Sequence, residues 1–165
     1  MMRRLVFCLI IISAVISFAV ACSRSDEGPK TEANIFFVDA EITRLLPYYT
    51  QISDTDMQHQ AEAVIDELIM GRDDNDKIRR LIPKRKGCVT VRTEGNIAYV
   101  DLESAIAEGL PKSRDIEKLV IYQIVNSLTD IRGLRFVRFT VDGEIRKDFM
   151  GYYDMRETYK YVYPE

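Results

Sequence analysis

Residues 1–22 set the tightest limit on what this chain can fold into, because they separate a segment suited to lipid from one that can build a core. Arg3 and Arg4 are followed by residues 5–21, "LVFCLIIISAVISFAVA", 17 positions without a charge, and then by Cys22. Two basic residues ahead of an apolar run that closes on the small residues Ala19 and Ala21 have the pattern of a secretory signal, removed on export. A run of this length also sits at the lower limit for crossing a bilayer, so a transmembrane anchor is the alternative. On either reading residues 1–21 stand outside the fold.

The four residues Ala19-Val20-Ala21-Cys22 resemble the lipobox of bacterial lipoproteins, in which a small residue precedes a cysteine that is acylated and becomes the new N-terminus; Ala19 stands where leucine is usual. The resemblance implies lipid attachment at Cys22. Each buried acyl methylene contributes roughly 0.8 kcal/mol, and stable anchoring takes more than one chain, which a diacylated or triacylated cysteine provides. Export also governs the other cysteines. Cys8 leaves with the signal, so Cys22 and Cys88 remain in an oxidising compartment. A lipidated Cys22 leaves Cys88 without an intramolecular partner; a Cys22–Cys88 disulfide is the competing arrangement. Cys88 itself reads as a small, half-buried apolar residue, since a catalytic thiol needs a base beside it and the single histidine, His59, lies on a different element.

The net charge is -3, and without Arg3 and Arg4 the chain carries 21 basic against 26 acidic residues. Nucleic acid is therefore not the implied partner. Residues 22–33 are the lipidated cysteine and a tether: "SRSDEGPKTEA" (23–33) has no large apolar residue with which to offset ordering entropy. Residues 34–165 are long enough for one domain with one core.

Within that domain "NIFFVD" (34–39) reads as a strand and "LLPYYTQI" (45–52) as a second, confined to a sheet edge by Pro47. Met57, Ala61, Val64, Ile65, Leu68 and Ile69 recur at helical spacing, with Thr55 and Gln58 as a capping box and Gly71 as the stop. Residues 71–87 form a polar connection with a short apolar turn at Ile78, Leu81 and Ile82, ended by Pro83. "CVTVRT" and "IAYVDL" flank Glu94-Gly95-Asn96 as a hairpin. A second helix is expected over 113–132, opening at Ser113 with Asp115 and Glu117 in its first turn, with Ile116, Leu119, Val120, Ile124, Leu128 and Ile131 on its apolar face and Gly133 after it. "RFVRFTV" and "EIRKDFMG" flank Asp142-Gly143 as a second hairpin, and "YKYVY" (159–163) reads as a last short strand. The predicted class is α+β: two helices packed on one face of a small mixed β-sheet, in the order strand, helix, hairpin, helix, hairpin.

These residues together resemble the GerMN domain of the sporulation and spore germination family over about 34–155. The segments that carry the likeness are Pro83 ahead of the first hairpin, Val100-Asp101-Leu102, the helix stretch "QIVNSLT" (123–129) and Val141-Asp142-Gly143. The resemblance implies a non-catalytic extracytoplasmic module, found in exported and lipid-anchored bacterial proteins, with roles in envelope assembly and suggested peptidoglycan binding. The founding germination protein carries two such domains in tandem where this chain has one. The motif residues also have plain structural readings: Asp101 capping a turn, Asn126 and Thr129 bonding backbone near the helix end, and Gly143 supplying a positive φ.

One histidine and one thiol cannot build a zinc site or a nucleophile with its base, so neither a metal nor another cofactor is expected. His59 reads as a helix residue beside Glu62. Asp101 and Glu103 are the best pair for sugar hydrolysis. "DDND" (73–76) lacks the glycine and the later glutamate of a calcium loop. Two surfaces are candidates for binding. Lys77, Arg79, Arg80, Lys84, Arg85 and Lys86 place six positive charges within ten residues, suited to anionic headgroups or wall phosphate polymers. Tyr159, Tyr161 and Tyr163 alternate as on one strand face and, with Tyr152 and Tyr153, suit stacking on sugars or on a partner. The expected function is a non-enzymatic lipoprotein of the cell membrane or outer membrane, facing away from the cytoplasm, whose domain binds a protein partner or peptidoglycan. A cell-wall hydrolase, or the direct activator of one, is the alternative.

Overall fold

The computed structural model describes residues 29–53, 56–72 and 76–163; the signal segment, Cys22, Thr55 and residues 73–75 lie outside the described residues. The elements are β1 (Lys30–Asp39), β2 (Leu45–Ser53), α1 (Met57–Met70), β3 (Ile78–Arg79), β4 (Val89–Glu94), β5 (Ile97–Leu102), α2 (Ser104–Glu108), α3 (Arg114–Thr129) and β6 (Phe136–Val141). The fold is α+β, with its strands in two sheets of three, ordered β2-β1-β3 and β4-β5-β6. The second sheet is mixed: β4 and β5 form the expected hairpin, and β6 lies parallel to β5 after the crossover through α2 and α3.

β1 begins at Lys30, so its first four residues, 30–33, fall within what composition alone assigns to the tether. Residues 30–33 need no large side chain to be ordered, because β2 supplies an antiparallel partner along the whole length, from Lys30 opposite Ser53 to Val38 opposite Leu45. The central residues are buried on both faces. Ala33, Ile35 and Phe37 enter the main core while Phe36 and Val38 enter a second cluster with Leu119 and Val120, an alternation that follows from the two-residue period of a strand. The edge of β1 away from β2 is closed differently. β3 pairs only with Val38 and Asp39, and farther along the strand α3 stands in for a strand with its side chains. Phe36 donates its N–H to Ser127 Oγ at 2.8 Å, and Asn34 its N–H to Asp130 Oδ2 at 2.8 Å. Phe36 therefore points its N–H away from β2, and Pro47, which sits opposite Phe36, occupies a non-hydrogen-bonded pair where a missing N–H costs no ladder bond.

α1 packs on β4, β1 and β2, and α3 on β1 and β6, with the two helices in contact. The N-cap of α1 is Asp56, whose carboxylate accepts from the N–H groups of Gln58 and His59. Gln58 does not reach back as a capping-box partner. Its side chain instead accepts from Thr93 N at 2.7 Å and donates to Val91 O at 2.9 Å, so one amide satisfies the free edge of β4. In α3 the apolar face is as expected, and the helix ends at Thr129, short of 132. Thr129 Oγ1 donates to Val125 O. Asn126, expected to bond backbone nearby, instead brackets Val162 of the C-terminal segment, donating to its carbonyl at 2.8 Å and accepting from its N–H at 3.1 Å.

The second expected hairpin does not form. Asp142 and Gly143 do make the tight turn, with φ of 52° and 76°, and Val141 and Glu144 form an isolated bridge, but the returning chain leaves the sheet. Glu117 is the reason. Read in the sequence as a first-turn dipole residue, it is fully buried and accepts from Met150 N at 3.0 Å and Tyr152 N at 2.8 Å, which draws residues 150–152 onto α3. The last expected strand likewise reduces to a single bridge between Tyr159 and Val137. Among the described residues no helix is long and apolar enough to cross a membrane.

Candidate functional site

The acidic pair singled out as hydrolytic is committed to structure. Asp101, at the end of β5, accepts through one oxygen from Thr140 Oγ1 at 2.6 Å and from Gly143 N at 2.7 Å. It thus caps the turn after β6 rather than the turn that follows it in sequence. Asp142 accepts from Ser104 N at 2.9 Å, so the two aspartates lace together the ends of β5 and β6 and the start of α2. Glu103 pairs with both nitrogens of the Arg85 fork. Those hydrogen bonds hold its carboxyl below the usual carboxylate range, the opposite of what a general acid needs near neutral pH.

His59 sits 67% exposed beside Asp56, whose hydrogen bond and charge raise its pKa. Cys88 is fully buried, its Sγ 3.6 Å from Pro83 O. Burial pushes that thiol up, the reverse of nucleophile activation.

The six basic residues do not act as one free patch. Arg85 belongs to Glu103. Arg80 lays its guanidinium against the end of α1, donating to Ile69 O at 2.6 Å and Met70 O at 3.1 Å, a cation at carbonyls that a helix C-terminus leaves unsatisfied. Gly71 makes room for it: a Cβ there would stand 2.7 Å from Arg80 Nη1. Lys77, Arg79, Lys84 and Lys86 are exposed along the same edge, so the charge presented outward is smaller than the sequence count.

The tyrosines also divide. Tyr159 is core, edge-on to Tyr122 and Phe139. Tyr161 meets Phe36 on one side and Tyr163 on the other. Tyr163 is 83% exposed and Tyr152 49%, while Tyr153 lies under the Arg114 guanidinium. Tyr163, Tyr122 and Asn126 help line a shallow cleft of about 140 Å³ with Arg44 and Lys118.

The larger concavity is a cavity of about 340 Å³ between the C-terminal end of α1, β3 and the middle of α3. Arg79 and Arg80 reach it from the basic segment; Arg72 and Gln123 also line it and were not singled out in the sequence. The signal for Gln123 was present, since it lies among Val120, Ile124 and Ser127 on the buried side of α3, where an amide without a purpose is unfavourable.

Residues 34–147 match the family described as Germane, sporulation and spore germination. Among solved structures, a candidate lipoprotein from Clostridium perfringens is similar over 79% of this chain and 87% of its own, at 14% identity and a TM-score of 0.56. The first GerMN domain of the sporulation protein GerM from Bacillus subtilis is similar over 79% of this chain and 96% of its own, at 13% identity and 0.55. The tandem GerMN domains of the same protein match over 78% of this chain and 45% of their own, at 15% identity and 0.56. No curated protein matches the chain. Identities this low carry the fold and nothing finer. A family match over more than two thirds of the chain's length and a fold shared with GerMN domains lead to one conclusion: the chain belongs to the Germane (GerMN) sporulation and spore germination family.

Proposed function

We propose that the protein is a non-enzymatic lipoprotein of the cell envelope. It is anchored through acylated Cys22 and held off the membrane by the tether, and its GerMN domain binds a protein partner or peptidoglycan. The observation that carries this reading is the leader of residues 1–22, two arginines and a charge-free run closing on Ala21-Cys22, joined to a domain of the Germane family. Support comes also from the likeness of the fold to a candidate lipoprotein of Clostridium perfringens, and from the commitment of Asp101, Glu103, His59 and Cys88 to structural partners or burial.

Metabolic labelling with an alkyne fatty acid tests the anchor. The wild type takes the label and Cys22→Ala does not; equal labelling of both removes the anchor. Purified wall tests the domain. The full chain in detergent sediments with the wall and leaves its turbidity unchanged, whereas clearance that disappears in Glu103→Gln makes the protein a hydrolase or an activator of one.

A further inference from the structure

The fold closes its other long strand edges and leaves that of β2 open. Beyond β1, Ser127 and Asp130 take the N–H groups of Phe36 and Asn34. Gln58 serves Val91 and Thr93 on the edge of β4, and Tyr159 bridges to Val137 on the edge of β6. β2 is the outer strand of its sheet and nine residues long. Because the N–H groups of Asn34 and Phe36 point away from β2, their partners Tyr49 and Pro47 stand in non-hydrogen-bonded pairs. Tyr49, Gln51 and Ser53 therefore turn their N–H and C=O groups to the open side. Among the described residues no hydrogen bond reaches those three N–H groups. Edge strands are ordinarily blunted by charge, lysine above all. The sequence of β2, "LLPYYTQIS", carries none in a chain that is 30% charged, and Tyr49 is 54% exposed on it.

We infer that β2 is a self-association edge, which pairs antiparallel with β2 of a second copy of this chain and joins their three-stranded sheets into one. Pro47 fixes the register, because its missing N–H falls on the open side. With a two-fold axis at Gln51, that residue pairs with Gln51 of the second copy, Tyr49 with its Ser53, and Ser53 with its Tyr49. Each pair exchanges two backbone bonds, and Pro47 lies past the end of the partner strand. An axis at Thr50 instead sets Pro47 against Ser53 and loses a bond at each end. An axis at Ile52 carries Tyr49 off the end of the partner strand. The one two-fold register that spares Pro47 on one copy and keeps all three pairs spares it on the other as well. Electrostatics permit the contact. The seam is uncharged, and the carboxylates beside it, Glu32 opposite Gln51 in each copy, stand three strand spacings apart, about 14 Å. That exceeds the screening length of about 8 Å at physiological salt. An edge without charge also offers nothing with which to select a charged segment of another protein.

The edge belongs to the domain alone, so neither loss of the fatty-acid label nor failure to sediment with wall bears on this inference. The test is oxidation with copper phenanthroline in intact cells expressing the full chain, read on non-reducing gels. Gln51→Cys puts two thiols on the axis, where Cα atoms about 5.5 Å apart lie within disulfide reach. Tyr49→Cys puts them about 14 Å apart, out of reach until Ser53→Cys is added to the same chain. Gln51→Cys and the Tyr49→Cys/Ser53→Cys double variant therefore give a covalent dimer. Tyr49→Cys alone gives no more of it than the wild type, which carries the same native cysteines. Sedimentation equilibrium of the full chain in density-matched detergent is the second arm. Gln51→Lys sets two like charges on the axis at an exposed position and weakens self-association at least about tenfold with the thermal midpoint unchanged. No dimer from Gln51→Cys, an equal yield from Tyr49→Cys alone, or association unmoved by Gln51→Lys overturns the inference. An adduct of Gln51→Cys with a different protein also overturns it, since the edge then takes a foreign strand.

Discussion

Glu117 offers the sharpest test of how the C-terminal third of the molecule is held. Its carboxylate is fully buried and takes one backbone N–H on each oxygen, from Met150 and from Tyr152. In Glu117→Gln one oxygen still accepts, but the new Nε2 is a donor facing a donor, so one bond is lost and one buried N–H is orphaned. The lost bond to a charged acceptor and the orphaned N–H together cost about 2–4 kcal/mol. For a domain of this size that corresponds to roughly 10 °C in thermal midpoint. Urea unfolding of the full chain in detergent, followed by circular dichroism, measures the free energy, and tryptic cleavage after Arg146 and Lys147 reports the release of residues 144–153 from α3. Asp115→Asn, on the exposed side of the same first turn, is the control and stays within about 1 kcal/mol of wild type. If Glu117→Gln also stays within about 0.5 kcal/mol, the ordinary range of a surface change, and Lys147 is cut no faster, then the carboxylate does not hold this segment and the reasoning fails.

Asp101→Asn keeps the single oxygen that serves Thr140 and Gly143, so it costs under about 1 kcal/mol, whereas Asp101→Ala loses both bonds, each contributing about 0.5–1.5 kcal/mol, and costs about 1–3 kcal/mol; equal losses in denaturant melts contradict the turn-capping role. Gly71→Ala combines a residue at φ 61° with a Cβ 2.7 Å from Arg80 Nη1 and destabilises by about 1–3 kcal/mol, and a neutral result in the same melts means that the chain does not leave α1 through this left-handed conformation. His59, the only histidine, titrates above 6.5 because Asp56 bonds to and attracts its charged form. Its contribution to stability is therefore fully present below 6.5 and fades as pH rises through the higher folded value. Ring-proton shifts that titrate at or below 6.5 in the wild type, or unchanged in Asp56→Asn, refute the pairing.

Much of this molecule was legible without coordinates, and the legible parts share a physical basis. Helical spacing from Met57 to Ile69 and from Ile116 to Leu128, the Gly95 hairpin and the edge position of β2 with its Pro47 are set by residues near one another in sequence. The family likeness rests on the same local patterns. What tertiary structure decided are the matters in which a side chain chooses among distant partners. The turn signal at Asp142-Gly143 is obeyed, yet whether a strand follows depends on Glu117, some 33 residues earlier in the chain from Met150, which bonds the backbone that a hairpin would have used. Gln58 leaves its own helix end for Thr93 and Val91 because β4 has an open edge there. A run of six basic residues shows charge but not commitment: Arg80 goes to the α1 carbonyls and Arg85 to Glu103 because those acceptors lie within reach only once the chain is folded. Gln123 is one amide in a helix until α1 and β3 close around it. Sequence sets where hydrogen-bonding groups stand along the chain, and the packing of α1, α3 and two small sheets sets which of them meet, since a polar group buried on folding must take whatever partner the fold brings to it or go without.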